Sequence, residues 1–355
     1  MTPPDQRTPM TARDFNPKLG KPYPLPQMDA WPGSVHLFNE DCVWAVKTAL
    51  ASNRPLLISG EPGIGKSQLP RAVAEYFRVP FLPYVVNARS ECSHLLYESD
   101  PVSRLAQAQV IDQSADETWR DLLAEERFIR PGPLWWAFDW ISARRQARKW
   151  CRSCGADADP TPEIECCPAC CEPTHKNLEG WKPGEGCVVL IDEIDKADSE
   201  FPNGLLESLG NIGFDVIPTR RPVTLDGRPP FIAITTNQER ELPAAFIRRC
   251  LVLSISFPPD PKKQSPDKFL VERGRVHFKK KIHEDVYTSA AGLILKERDR
   301  QKDALHRPGA AEYLDILRAL QELFKEASDP REEQLAALEK VARYSLRKQT
   351  GGLLS

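Results

Sequence analysis

The segment that most constrains the fold of this chain is a glycine-rich loop between an apolar run and a helical run. Residues 60–67 read GEPGIGKS and fit the pattern G-x-x-x-x-G-K-[ST] in full. A strand is predicted over residues 55–59 and a helix over residues 68–77. Glycines there let backbone N–H groups turn inward around phosphate oxygens, and the following helix directs its positive end at the same anion. The sequence therefore predicts a phosphate-binding loop.

The motif predicts a role for each of its last two residues, Lys66 and Ser67. Lys66 is expected to contact the β- and γ-phosphates of a nucleoside triphosphate, and Ser67 is expected to bind Mg²⁺. A glycine-rich turn that matches by chance is the weaker interpretation, because both flanking segments fit as well. The other nucleotide-binding candidates of the loop are Gly60, Pro62, Gly63, Ile64, Gly65 and Gln68.

Two carboxylates follow a second apolar run, residues 187–191. Asp192 is expected to bind Mg²⁺, directly or through water, and so to help hold the nucleotide. Glu193 is expected to act as the general base that polarises the attacking water. Asp195 and Asp198 follow, and we interpret them as charges at the N-terminus of a helix rather than as metal ligands.

Polar residues also follow the apolar run 231–236, which ends at Asn237. An amide at a strand end could hydrogen-bond both a γ-phosphate and the attacking water, and so sense hydrolysis. Polar strand ends are common, so this indication depends on the two motifs above.

The spacing of the apolar runs predicts the fold class and its divisions. Runs at 55–59, 81–87, 187–191, 231–236 and 251–257 suit strands buried on both faces of a parallel sheet, with a helix predicted over 36–51 before them. We expect an α/β nucleoside triphosphatase core over 34–257, followed by a small α-helical lid domain over 258–355. Residues 1–33 contain eight prolines, which disfavour regular helix or sheet and predict an N-terminal arm.

Six of the ten cysteines lie between residues 151 and 171. Cys151, Cys154, Cys167 and Cys170 have the spacing C-x2-C-x12-C-x2-C, which offers Zn²⁺ the four thiolates it prefers in structural sites. Cys166 and Cys171 could replace a neighbour in that set. A redox C-x-x-C would need only one pair, so we favour a zinc-ribbon-like insertion over residues 145–183.

The charge balance and hydropathy favour a cytoplasmic protein. The formal net charge is −2, which by itself argues neither for nucleic acid nor for an acidic membrane surface. The sequence shows no apolar stretch of the ~20 residues that span a bilayer and no signal-peptide core. Basic residues are dense over 262–281, and we favour a solvated face there over a nucleic-acid interface.

The order of the motifs resembles one family. GEPGIGKS, VVLIDEIDKAD, TTN and ELPAAFIRRC occur in the order found in the MoxR-type branch of AAA+ ATPases, and the resemblance covers about residues 37–257. It implies an ATP-hydrolysing homo-oligomer, a hexameric ring, in which Arg248 or Arg249 is an arginine finger that acts on ATP held by the adjacent subunit. It also implies a lid arginine, for which Arg307 is the candidate.

The resemblance also suggests a function. Such ATPases remodel or regulate partner proteins, often together with a protein that carries a von Willebrand A domain. Two alternatives stay open: a nucleic-acid motor or sensor, and a nucleotide-gated scaffold in a defence or signalling complex. The family does not generally carry a cysteine insertion, so the resemblance assigns it no role.

Overall fold

The strands and helices follow the predicted alternation of apolar runs and helical segments. The computed structural model describes residues 8–28, 31–110, 119–151, 178, 180–258, 264–301, 307–327 and 329–346. Within these residues the strands are β1 Pro22–Leu25, β2 Ser34–Leu37, β3 Leu56–Gly60, β4 Phe81–Val85, β5 Tyr97–Ser99, β6 Ile129–Pro131, β7 Val188–Asp192, β8 Gly213–Val216, β9 Arg221–Thr224, β10 Phe231–Thr236 and β11 Leu251–Ile255.

The helices lie between these strands and in a C-terminal run. Within the described residues they are α1 Glu40–Ser52, α2 Gln68–Phe77, α3 Cys92–Leu96, α4 Pro101–Val110, α5 Trp119–Leu122, α6 Pro133–Phe138, α7 Trp140–Trp150, α8 Glu200–Asn211, α9 Ala244–Arg249, α10 Pro266–Phe278, α11 Glu284–Arg300, α12 Ala310–Leu323 and α13 Pro330–Leu346. Single 3₁₀ turns lie at Glu125–Phe128, Ile194–Lys196 and Lys279–Lys281. None of the described helices is long and apolar enough to cross a membrane.

Five of the described strands form one parallel sheet in the order β11-β3-β10-β7-β4. In its register, Val188 of β7 lies opposite Phe231 of β10 and Phe81 of β4. Every residue of β7 and β10 is buried, as continuous apolar runs covered on both faces require. Parallel strands end at the same edge of a sheet, so the segments after β3, β7 and β10 leave from that edge. The predicted α/β class is confirmed.

Two predictions near the N-terminus are wrong. The helix predicted over 36–51 begins only at Glu40, because the side chain of Asn39 caps it by accepting the N–H of Cys42 at 2.8 Å. Residues before the cap form β2, which pairs antiparallel with β1 in the proline-rich segment that we expected to lack regular structure. A two-stranded sheet has only edge strands, and an edge strand tolerates the missing N–H groups of Pro22 and Pro24.

The chain folds as two compact units, and the first contains the described parts of residues 1–19, 38–58 and 69–253. One core cluster packs alternate residues of the strands, on one face of the sheet, against α6, and Ile191, Ile234 and Trp135 are among its buried side chains. Part of the predicted N-terminal arm also packs here. Phe15 is completely buried, and its ring centroid lies 5.1 Å from that of Tyr76.

The second unit contains the described parts of residues 20–37, 59–68 and 254–355. It is mostly helical and is built around α10, α11, α12 and α13, with Leu270, Tyr287 and Tyr313 in its core. Tyr313 donates a hydrogen bond to the backbone oxygen of Tyr287 at 3.2 Å. The phosphate-binding loop belongs to this unit, and a C-terminal helical region follows the sheet as predicted.

Candidate functional site

The loop between β3 and α2 turns at two glycines that leave no room for a side chain. Gly60 has a φ of +155° and Gly63 a φ of +74°. A Cβ atom on Gly60 would lie 2.4 Å from the backbone oxygen of Ile255, and one on Gly63 would lie 2.6 Å from the Cβ atom of Ala311. Because only glycine adopts such a backbone without strain, these positions build the close-wound cradle that phosphate oxygens need.

Lys66 holds the loop in this form. Its side chain is buried, and Nζ donates hydrogen bonds to the backbone oxygens of Gly60 at 2.9 Å and Glu61 at 3.0 Å. Helix α2 begins at Gln68, so its first N–H groups lie at the same loop. A buried ammonium group beside a helix N-terminus favours an anionic ligand. Of the other predicted loop residues, Ile64 is buried, Gly65, Ser67 and Gln68 are half-buried, and Pro62 and Gly63 are exposed.

Two arginines of the helical unit lie beside the loop. Arg298 donates to both carboxylate oxygens of Glu61, at 2.7 and 2.6 Å. Nη1 of Arg273 lies 3.9 Å from the position that a Cβ atom on Gly65 would occupy. The lid candidate from the sequence, Arg307, is exposed in the segment that precedes α12, and its role stays a prediction. Sequence reasoning did not single out Arg273 or Arg298, because nothing local to α10 or α11 marks them.

The acidic pair at the end of β7 is joined to β10 by one hydroxyl group. Oγ1 of Thr235 donates to Oδ1 of Asp192 at 2.5 Å and accepts the backbone N–H of Glu193 at 2.8 Å. Asp192 is 9% exposed and Thr235 is fully buried. Thr235 of the neighbouring strand therefore fixes the side chain of Asp192 and the backbone of Glu193.

The side chain of Glu193 lies between a cation and an amide. Its backbone is left-handed, with a φ of +59°. Its carboxylate accepts hydrogen bonds from Nζ of Lys196 and, at 3.3 Å, from Nδ2 of Asn237. The hydrogen bond to this carboxylate raises the pKa of Lys196. The structure thus brings together Glu193 and Asn237, and their roles in hydrolysis stay predictions.

Asp195 has a role that the sequence did not reveal. It is 2% exposed, and its Oδ2 accepts the backbone N–H groups of Asn237 at 3.1 Å and Glu239 at 2.9 Å. Asp195 lies in the first turn of a 3₁₀ helix, as interpreted, but its side chain holds the segment after β10 and not the N-terminus of that helix. The interpretation of Asp198 is confirmed, because its Oδ1 accepts the N–H of Glu200, the first residue of α8. A 3₁₀ turn at Ile194–Lys196 folds Asp195 back toward the sheet edge, and no local sequence signal marks that turn.

Arg248 and Arg249 form the last turn of α9, and both are exposed. Neither side chain forms an ion pair within the described part of the chain. Their backbone is held from elsewhere: the guanidinium group of Arg54 donates to the backbone oxygens of Arg248, Arg249 and Cys250 at 2.7, 3.2 and 3.1 Å. A fixed backbone with two cationic side chains at the surface suits an anion supplied by another molecule.

The predicted zinc ligands fall largely outside the described residues. Cys151 is described, and it is buried at the C-terminal end of α7. Cys154, Cys167 and Cys170 lie outside the described residues, as do Cys166 and Cys171. The described residues alone contain no cluster of three or more His, Cys, Asp or Glu side chains that could hold a metal ion. The zinc set therefore stays a prediction from spacing.

The residues present fit a nucleoside triphosphate and its Mg²⁺. The loop of Gly60 and Gly63 has the cradle that excludes side chains, and Lys66 supplies a buried positive charge. The hydroxyl group of Ser67 and the carboxylate of Asp192 are both oxygen ligands of the kind that Mg²⁺ prefers, and their role as its ligands stays a prediction. Gly60 is the last residue of β3, and Asp192 is the last residue of β7.

Comparison with solved structures finds matches at low sequence identity. RuvB from Thermotoga maritima, described as a Holliday junction branch migration motor, is 11% identical, with a TM-score of 0.41 over 85% of this chain and 67% of that one. A single-residue variant of that RuvB is 12% identical, with a TM-score of 0.44 over 89% of this chain and 72% of the other. A candidate ATPase from Cytophaga hutchinsonii ATCC 33406 is 12% identical, with a TM-score of 0.33 over 83% and 77%.

Family comparison is more informative. No curated protein matches the chain significantly. The family model described as "AAA domain (dynein-related subfamily)" matches residues 55–250, which is more than half of the 355 residues. The match begins directly before β3 and ends directly before β11, so it includes the phosphate-binding loop, the acidic strand end, Asn237 and the arginine pair. The chain belongs to the AAA domain family, dynein-related subfamily, and is an AAA+ ATPase that uses ATP and Mg²⁺.

Proposed function

We propose that this AAA+ ATPase works as a hexameric homo-oligomeric ring in which each copy completes the active site of its neighbour, and that the ring remodels a partner protein. The observation that carries the proposal is the exposed arginine pair on α9. Rings are common among AAA+ ATPases, and a heterologous contact repeated around a closed ring gives every active site the same neighbour.

Within one copy, the described residues divide the chemistry. Lys66 would neutralise charge on the β- and γ-phosphates, and Ser67 and Asp192 would hold Mg²⁺, which would supply further charge neutralisation. Glu193 accepts the proton of the attacking water. Asn237 donates its amide hydrogen to Glu193, at 3.3 Å, and so orients the carboxylate that activates the water.

The arginine pair supplies positive charge to the γ-phosphate of the ATP that the adjacent copy holds. Charge spreads over the γ-phosphoryl oxygens as the phosphoryl group transfers, and a planar guanidinium group that neutralises it is worth about 10³–10⁵ in rate. Arg248 and Arg249 are exposed and form no ion pair within the described residues. The γ-phosphate of ATP bound by the adjacent copy would be the anion that these two surface guanidinium groups neutralise.

Remodelling of a protein is favoured over work on nucleic acid. The motif order resembles the MoxR-type branch, whose members act on proteins, often with a von Willebrand A domain partner. The basic segment 262–281 does not present all its charges, because Arg275 pairs with Glu284 through a bidentate contact. The formal net charge of −2 gives nucleic acid no general attraction.

We also propose that the cysteine insertion binds structural zinc through Cys151, Cys154, Cys167 and Cys170. Four thiolates complete a tetrahedral site, so the metal has no open position for catalysis. The support is the spacing of the cysteines together with the burial of Cys151 at the end of α7.

The shared active site is tested by mixing two inactive variants. Glu193→Gln subunits still offer arginines, and Arg248→Ala/Arg249→Ala subunits still carry a water-activating carboxylate. Where the arginine-free subunit holds ATP and its neighbour carries Glu193→Gln, the interface is complete. We expect the mixture to recover ATPase activity that neither variant shows alone. No recovery from variants that each bind ATP and assemble as the wild type does would contradict the shared site.

The partner class is tested with the same Glu193→Gln variant, which is expected to hold partners in its ATP-bound state. A protein that co-purifies with it, once purified separately, should raise the ATPase rate of wild-type rings. Stimulation by single- or double-stranded nucleic acid instead would contradict the remodelling of a protein. Assembly on ATP without any turnover would support the nucleotide-gated scaffold.

A further inference from the structure

One exposed arginine outside the family motifs holds the backbone of the arginine pair. The guanidinium group of Arg54 donates three hydrogen bonds: Nη2 to the backbone oxygen of Arg248 at 2.7 Å, Nε to that of Arg249 at 3.2 Å, and Nη2 to that of Cys250 at 3.1 Å. Helix α9 has only six residues, and the carbonyl groups of its last turn have no partners within the helix. A guanidinium group suits the C-terminal end of α9, because it donates to several carbonyl oxygens at once and its positive charge stabilises the negative end of the helix dipole.

The order of the strands explains how two residues 194 positions apart meet. Asn53 caps the C-terminal end of α1, adopts a left-handed backbone with a φ of +51° and turns the chain toward β3. β3 and β11 are neighbours in the sheet, and the N–H of Leu251 donates to the backbone oxygen of Pro55 at 2.8 Å. Arg54 directly precedes Pro55, while Arg249 lies two residues before Leu251. The pairing of these strand starts therefore places Arg54 at the end of α9.

We infer that Arg54 is a positioning residue for the arginine pair and acts on the ATP of the adjacent copy, not on the ATP of its own copy. This inference rests on the proposed ring. It is not obvious from the sequence, since Arg54 lies just before the strand that leads into its own phosphate-binding loop. Two of its three hydrogen bonds instead go to the backbone of Arg248 and Arg249, whose side chains are proposed to reach the active site of the adjacent copy. Without these hydrogen bonds, the short α9 loses the contact that fixes the backbone positions of Arg248 and Arg249.

The inference predicts a specific loss in Arg54→Ala. ATP affinity should stay near that of the wild type, while turnover falls by roughly 10²-fold, the size of effect that misplacement of a reacting group by about 1 Å produces. Arg54 is exposed, so its removal leaves the buried core unchanged. Arg54→Lys keeps the charge but cannot reach three carbonyl oxygens together, and turnover should lie between the two. Arg13→Ala, at another exposed arginine of the same unit, should match the wild type.

Mixing experiments separate action on the neighbour from action within the copy. Arg54→Ala mixed with Glu193→Gln should recover activity, because roughly a quarter of randomly formed interfaces then join an intact carboxylate to well-placed arginines. Arg54→Ala mixed with Arg248→Ala/Arg249→Ala should recover none, because neither variant offers a placed arginine. If Arg54→Ala fails to fold, Arg54→Lys takes its place in both mixtures.

The outcomes distinguish this inference from the proposed ring. If Arg248→Ala/Arg249→Ala complements Glu193→Gln but Arg54→Ala does not, the ring stands and the role of Arg54 is overturned. Wild-type turnover in Arg54→Ala, or a loss of ATP affinity equal to the loss of turnover, would also overturn it. If neither pair complements, the shared site itself fails.

Discussion

At the scale of single residues, hydrogen bonds fix the backbone of the residues that we propose for hydrolysis. Thr235 joins the ends of β7 and β10 through Asp192 and the N–H of Glu193. Asp195 then holds the N–H groups of Asn237 and Glu239. These buried contacts keep a carboxylate and an amide within 3.3 Å of each other. A water beside this pair would meet an acceptor and a donor that need little rearrangement, which is where electrostatic preorganisation is most effective.

Single substitutions should separate the binding of ATP from its hydrolysis. Lys66→Ala removes the buried positive charge of the loop, so ATP binding should be lost. Glu193→Gln keeps the shape of the side chain but cannot accept a proton, so binding should persist while turnover falls at least about 10²-fold. Nucleotide titration and steady-state ATPase assays measure the two effects. Normal turnover in purified Glu193→Gln protein would show that another residue activates the water.

A second prediction concerns the acid stability of the helical unit. His36 is 5% exposed, and burial, with a smaller contribution from the positive charge of Arg273, lowers its pKa from 6.5 to about 3. Between these values the unfolded chain binds the proton and the folded chain does not, so stability is lost as the pH falls below 6.5. Each pH unit in that window costs about 1.4 kcal/mol, or about 2 kcal/mol between pH 7 and pH 5.

His36→Gln should therefore reduce the dependence of unfolding on pH. Denaturant melts of the wild type and the variant at pH 7 and pH 5 measure the difference. Burial also lowers the pKa of His277, to about 4, and that loss is common to both proteins. An identical loss of stability in both proteins would contradict the buried neutral state of His36.

The residues that sequence reasoning found and missed differ in how they act. Lys66, Asp192 and Glu193 belong to local patterns whose spacing is imposed by the chemistry. Arg54 and Thr235 act through partners 194 and 42 positions away along the chain, and no local pattern marks such contacts. They follow from which strands are neighbours, and that order is visible only in the fold.

At the scale of elements, the central strands β7 and β10 were predictable because every residue in them is buried. The runs predicted at 231–236 and 187–191 correspond to Phe231–Thr236 and Val188–Asp192. Their ends were less predictable, because hydrogen bonds and caps end an element where hydropathy does not change. α1 begins at its Asn39 cap rather than at the first apolar residue, and β1 forms where prolines disfavoured it.

The cysteine insertion carries the prediction at this scale. Protein purified without chelator should contain about one zinc per chain, because four thiolates at this spacing complete one tetrahedral site. Cys167→Ser/Cys170→Ser should lose the metal, while Cys92→Ser, a half-buried cysteine outside the cluster, should keep it. Metal analysis by plasma spectroscopy checks both. A folded, fully active wild type without metal would contradict the zinc site.

At the scale of the whole molecule, the predicted site residues belong to two compact units. The phosphate-binding loop belongs to the helical unit, where Arg298 binds Glu61 and Ala311 lies against Gly63. The acidic strand end, Asn237 and the arginine pair belong to the unit that contains the sheet. The predicted ATP-binding and hydrolysis residues are therefore distributed over both units of the chain.

The central claim is that one copy cannot hydrolyse ATP efficiently without a neighbour. It is tested most directly by the ATPase rate per subunit over a dilution series, with the mass of the assembly measured by light scattering in the same samples. Since each site needs arginines from another copy, the rate per subunit should fall as the ring dissociates, and a monomer should lose about 10³-fold or more. Full activity per subunit in a sample that scatters as a monomer would contradict the shared active site.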